Sequence, residues 1–164
     1  MKKRNYFGRI LIASVLILAQ YIFAFFVFKL SGFVVLQWVG WGIWLLSVYF
    51  GFAPIFILRQ KGGVAKSQSY VKTTHLVDTN LYAIVRHPQY VAGILFNLAL
   101  MLLSPHLVVI GLGLISMVLI YIDIRAADQE GIEKFGDEYQ LYMQRVPRAN
   151  ILLGVIRWFK RRKS

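Results

Sequence analysis

The chain has 164 residues, of which 58% are hydrophobic and only 16% charged, whereas a soluble domain is about half apolar and a quarter charged. It contains no cysteine, which excludes disulfides, thiolate metal sites and cysteine nucleophiles. The net charge of +12 is compatible with phosphate binding, but the basic residues flank apolar runs and no nucleic-acid module is recognisable. The reading is therefore a membrane protein with a positive-inside bias, no nucleic-acid partner and no metal.

Residues 10–28 carry no charge and follow Lys2, Lys3, Arg4 and Arg9. The run is too long for a secretory signal and lacks a small-residue cleavage site, so residues 7–30 are expected to form a first transmembrane helix. Ser31-Gly32 reads as a turn. A second apolar run, 33–58, holds Trp38, Trp41 and Trp44, with Pro54 near its end. Two of these tryptophans suit an interfacial belt, and the proline predicts a kink.

Residues 59–86 form the one long polar connection, whose second half, 70–85, regains apolar residues and is expected to lie on the headgroup surface. A third helix over 88–104 is barely long enough to cross. After the reversal at Ser104-Pro105-His106, residues 107–124 return as a fourth span. Gly111 and Gly113 are expected to face Gly93 and Ala99, so that the two helices form a close hairpin.

In the polar remainder, Ile132, Phe135, Tyr139, Tyr142, Met143 and Val146 recur at three- and four-residue steps and define one apolar face. Gly136-Asp137 reads as a stop and restart, with Asp137 as N-cap. The last segment, 151–163, combines an apolar patch, Trp158 and a basic cluster, and suits an anionic leaflet. The expected architecture is all-α: one domain over 1–164, with four transmembrane helices, a C-terminal helical hairpin and cytoplasmic interfacial helices. Within it, residues 1–60 supply two peripheral spans. Of the 19 Lys and Arg, only Lys29 adjoins the first short turn. Both termini and the long loop therefore face the cytoplasm, as in an inner cell-membrane protein.

Chemistry concentrates at one membrane boundary, in Tyr82, Arg86, His87, Pro88 and Tyr90. Pro88 suits the first turn of a helix, where its missing N–H costs nothing. A helix N-terminus, an imidazole, a guanidinium and two phenols thus meet where lipid offers no hydrogen-bond partner.

Tyr82-x-x-x-Arg86-His87-Pro88-x-Tyr90, a helical hairpin, Phe135-Gly136-Asp137-Glu138-Tyr139-x-x-Tyr142 and Arg145-Val146-Pro147-Arg148 together resemble the isoprenylcysteine carboxyl methyltransferases. These group with the phospholipid N-methyltransferases as membrane enzymes that use S-adenosyl-L-methionine. The resemblance covers residues 75–148 and implies that this stretch is the cofactor-binding core. It implies a cofactor pocket lined by Tyr82, His87, Pro88 and Tyr90, with Gly93 giving the backbone room. The family pattern has an acidic pair before Phe-Gly; here those positions are Ala127 and Asp128, with Glu130 close by. Asn80 stands where a glycine is common, which a left-handed turn tolerates.

Methyl transfer from a sulfonium requires a donor and a nucleophile held about 3–3.5 Å apart. The donor's carboxylate suits Arg or helix N–H groups. Its ammonium and sulfonium suit Asp128 or Glu130 and the faces of Tyr82, Tyr90, Tyr139 or Tyr142. The acceptor is expected to be a lipid or lipid-modified substrate entering from the bilayer. A carboxylate acceptor needs an Arg to place it, and Arg86, Arg125 and Arg145 lean that way; an amine acceptor needs His87 or a carboxylate as base.

Plainer readings stand beside these. His87 can serve only as a helix cap, Arg86 as an anchor to lipid phosphate, and Asp128 and Glu130 as helix-dipole partners. The stripe from Phe135 to Tyr142 can pack against the membrane face, and Asn97 can join helices. Asp123 can pair with Arg125 or Arg86. A scaffold or carrier without activity is the alternative from another class, and the oligomeric state is left open.

Overall fold

The computed structural model describes residues 6–30 and 33–163. The Ser31-Gly32 turn and the basic residues Lys2, Lys3 and Arg4 lie outside the described residues. The described residues are all-helical, with five α-helices and no strand: α1 (Tyr6–Ile22), α2 (Val34–Lys61), α3 (Pro88–Leu103), α4 (Leu107–Arg145) and α5 (Ile151–Lys163). A π-helical turn, Phe23–Val27, extends α1, and a 3-10 turn, Asn80–Ala83, precedes α3.

Three stretches are long and apolar enough to cross a membrane, Gly8–Val27, Val34–Lys61 and Leu107–Arg145. In the last of these the uncharged run ends at Ile122, and charged residues recur from Asp123 onward. α3 has 16 residues, about 24 Å of helix against a hydrocarbon core of about 30 Å. The first span ends at Val27, short of the expected Leu30, because Lys29 takes a left-handed conformation (φ 58°). α2 runs through Pro54 to Lys61, one turn past the expected end at residue 58.

Two compact units share these helices, Met1–Val48 with Ala92–Arg125, and Tyr49–Val91 with Ala126–Ser164. In the first unit, the bare Cα of Gly93 on α3 lies against Ile120 of α4, as a close hairpin requires. Gly113 meets Met101 and Gln20, but Gly111 faces open space and Ala99 adjoins Gly40 of α2. The expected four-residue small face is therefore replaced by contacts that draw on all four helices α1 to α4. Gln20 is fully buried, and its Nε2 donates to the carbonyls of Asn97 (3.2 Å) and Val109 (3.1 Å). Asn97 turns its own amide back to Gly93 O at 2.7 Å. The polar link between helices is thus supplied by Gln20, not by the Asn97 side chain. Asp123 pairs with Arg9 at 2.8 Å, a partner 114 positions away that local reading could not find.

In the second unit, Tyr139, Tyr142 and Val146 form a buried cluster against Leu76, Ile132, Phe135 and Met143. The apolar face expected on this stretch exists, and it closes on protein. Val77, Leu81 and Val85 are buried as well. The 70–85 segment therefore sends apolar side chains into the unit, where an interfacial strip would have spread them over headgroups. At Asn80 the chain is left-handed (φ 57°), the conformation expected where a glycine would otherwise stand.

Candidate active site

Gly136 breaks α4 at φ 57°, ψ −131°, a conformation open to glycine alone. The break decides the position of Tyr139. Residues eleven apart on a straight helix are separated by about 16 Å, yet the Tyr139 hydroxyl donates to Asp128 Oδ1 at 3.1 Å. Gly131 makes room for this return, since a Cβ there would run into the Tyr139 ring.

Asp128 is buried, 3% exposed, at the centre of the cluster. Arg86 donates to it through Nε (3.0 Å) and Nη2 (2.9 Å), a two-pronged contact that a planar guanidinium makes well. Arg148 Nε donates to Oδ2 at 2.6 Å, and His87 Nε2 lies 2.7 Å from Oδ1. Burial alone would raise the Asp128 carboxyl. The hydrogen bonds from His87, Arg86 and Arg148 outweigh it and hold the group well below the usual carboxylate range. Burial and then the adjoining Asp128 charge push the Tyr139 phenol up, so it stays protonated and donates.

Arg86 is itself buried, and its Nη1 donates to the carbonyls of Met143 (2.9 Å) and Val146 (2.6 Å). It thereby satisfies carbonyls that the end of α4 leaves without helical partners. The main chain adds two bonds, Arg86 N to Pro147 O at 3.1 Å and His87 N to Arg148 O at 3.3 Å. The Arg-His-Pro segment and the Arg-Val-Pro-Arg segment are thus stitched together. Arg86 points into protein and does not serve as a lipid anchor.

A cavity of about 270 Å³ opens beside the cluster, with Tyr82, Arg86, His87, Glu130, Phe135 and Tyr139 on its wall. Glu130 is exposed, two residues on from Asp128 and about half a turn round α4. Tyr142 is buried and donates to Tyr82 O at 2.6 Å. The Tyr90 ring lies edge-on to His87, centroids 5.8 Å apart, and Pro88 is buried in the first turn of α3. Arg125 and Gly93 belong to the other unit, Arg125 exposed and Gly93 on Ile120. Arg145 is exposed and lies 3.6 Å from Asp78.

Sequence reasoning passed over Arg148, Lys134, His75 and Gly131 as site residues. Arg148 was visible as the last residue of a motif, and Lys134 as the residue before Phe-Gly. His75 and Gly131 carried no signal, because each lines the cavity through the folding of a loop or the return of a ring.

Residues 63–132 match the family model of the isoprenylcysteine carboxyl methyltransferases. This supports membership of that family. The matched stretch carries Tyr82, Arg86, His87, Pro88, Tyr90, Asp128 and Glu130, and it ends before Tyr139 and Arg148, whose side chains complete the cluster. No curated protein and no solved structure matches the chain.

Proposed function

We propose that this chain is an integral membrane methyltransferase that moves a methyl group from S-adenosyl-L-methionine to a lipid-borne acceptor. The acceptor favoured by the family match is a carboxylate of the isoprenylcysteine type. The single observation that carries the reading is the buried Asp128 cluster, which binds the two family motifs together on the wall of one cavity.

The cavity's residues fit such a donor. Glu130 offers a carboxylate for its ammonium, Lys134 a cation for its carboxylate, and Phe135, Tyr82 and Tyr139 faces for the sulfonium and base. The donor supplies an electrophilic methyl group when bound. The chain's own part is to hold and orient. Asp128, saturated by Arg86, Arg148, His87 and Tyr139, fixes the wall, and Glu130, two residues further along α4, makes the ionic contact. Tyr90 braces His87 edge-on.

The span arithmetic supports four crossings if α3, at 16 residues, crosses where the bilayer thins or is helped by snorkelling ends. The excess of Lys and Arg supports a cytoplasmic location for the cavity and both termini, as in an inner cell-membrane protein.

One observation favours a second acceptor. His87 Nε2 is held on Asp128, which leaves Nδ1 as the ring atom able to take a proton, an arrangement suited to a base. An amine needs such a base and a carboxylate does not, so an amino-headgroup phospholipid is the runner-up. Arg86 is committed to Asp128 and to α4 carbonyls, which reduces the case for it as the acceptor's carboxylate clamp. A methyl-transfer assay with a farnesylated cysteine analogue against phosphatidylethanolamine tests the proposal. Transfer to the first supports the carboxylate, transfer to the second the amine, and transfer to neither ends the enzyme reading.

A further inference from the structure

We infer that the second unit carries a separate binding groove for an anionic phospholipid that is not the methyl acceptor. A groove of about 630 Å³ runs along the end of α2 beside α5. Tyr49, Phe56 and Ile57 of α2 and Ile84 form its apolar wall, while Asn80, Trp158 and Arg162 form its polar part. It shares no lining residue with the cavity at Asp128. Tyr49 and Ile57 lie about 12 Å apart along the helix, room for part of an acyl chain.

Two features select the occupant. The wall is apolar on a helix long enough to cross a membrane, and Phe56 remains 62% exposed, so an acyl chain has surface to cover. The polar part is basic. The Arg162 guanidinium lies 4.5 Å over the Trp158 ring, in a helix whose last turn holds Lys160, Arg161, Arg162 and Lys163. Indole and guanidinium together suit a headgroup phosphate at the interface. α5 is also anchored where the groove needs it. Gly154 lets the helix approach the Ile84 carbonyl, and Arg161 Nη2 donates to Ala83 O at 2.7 Å. A lipid seated here therefore touches the segment that leads directly to Arg86 and His87.

The inference rests on the membrane reading, and the test separates the two. The full chain is reconstituted in phosphatidylcholine vesicles containing bromine-labelled acyl chains on either phosphatidylglycerol or phosphatidylcholine. The Trp158 signal is the fluorescence difference between the wild type and Trp158→Phe. Quenching of Trp38, Trp41 and Trp44 by both labels reports insertion; its absence overturns the membrane reading and this site with it. With insertion established, half-maximal quenching of Trp158 is expected at about fivefold less labelled phosphatidylglycerol than phosphatidylcholine, the ratio one basic residue gives beside an anionic headgroup. Arg162→Gln is expected to merge the two curves, and Lys66→Gln, on the long loop, to leave them apart. Equal curves in the wild type, or an unchanged gap in Arg162→Gln, overturn the site. Displacement of the labelled phosphatidylglycerol by a farnesylated cysteine analogue assigns the groove to the acceptor and also overturns it.

Discussion

Arg86 and Asp128 meet through two parallel hydrogen bonds of 3.0 and 2.9 Å, with both side chains buried. Arg148 brings a second guanidinium to the same carboxylate. The arrangement makes Asp128 the counter-charge for two cations, and the consequences of removing it differ from those of removing its neighbour Glu130.

Asp128→Asn keeps the shape and deletes the charge, leaving Arg86 buried without its anion. The expected cost is about 3–5 kcal/mol, read as a large fall in the thermal midpoint of the detergent-solubilised protein. Glu130→Gln, at an exposed position, is expected to change stability by less than about 0.5 kcal/mol while weakening donor binding. Equal stability losses in the two variants would contradict this division of roles.

Gly136→Ala places a Cβ on a backbone with φ 57° and ψ −131°. Strain of this kind costs about 1–3 kcal/mol. Relaxing it straightens α4 and withdraws Tyr139 from Asp128. Thermal unfolding should show the loss, and Tyr139→Phe should reproduce its effect on activity with a stability loss of about 1.5–3 kcal/mol, that of a hydrogen bond to a charged group.

Acid is expected to act through Asp128. Its folded-state carboxyl lies below the ordinary value of 3.8 because its three cationic or imidazole partners outweigh burial. A group depressed by folding contributes its full stability above its unfolded value and loses it as pH falls through the folded one. Stability should therefore decline from about pH 4 downward, and Asp128→Asn should flatten that decline. An equally steep acid limb in the variant would assign it to other carboxylates.

Arg86→Lys tests whether charge alone suffices. Lysine offers three donors from one point and cannot reach Asp128 and the Met143 and Val146 carbonyls together. A loss of about 2–4 kcal/mol is expected, since each abandoned bond to a buried group costs about 1–3 kcal/mol. A neutral substitution, measured by the thermal midpoint, would show that Arg86 supplies charge and not geometry.

Much of this was legible beforehand because periodicity and backbone chemistry are local. The apolar runs, the hairpin reversal at Ser104–His106, the left-handed Asn80 and the break at Gly136 are each written in a few consecutive residues. The apolar face from Ile132 to Val146 was legible as a face, but not what covers it. Partners far apart in the chain were hidden. Nothing near Asp123 points to Arg9, nothing near Asn97 points to Gln20, and Asp128 gives no sign of how many donors it will gather. Arg86 and Arg125 looked alike in sequence as bare cations near a span end. Folding buried the first against a carboxylate and left the second exposed in the other unit.

The cavity beside Asp128 is proposed to seat an S-adenosyl ligand. Calorimetry with S-adenosylhomocysteine on the detergent-solubilised full chain measures this directly. Saturable binding to the wild type, lost in His87→Ala and weakened in Glu130→Gln, is the predicted result. No binding to the wild type, or binding untouched by either substitution, would contradict it.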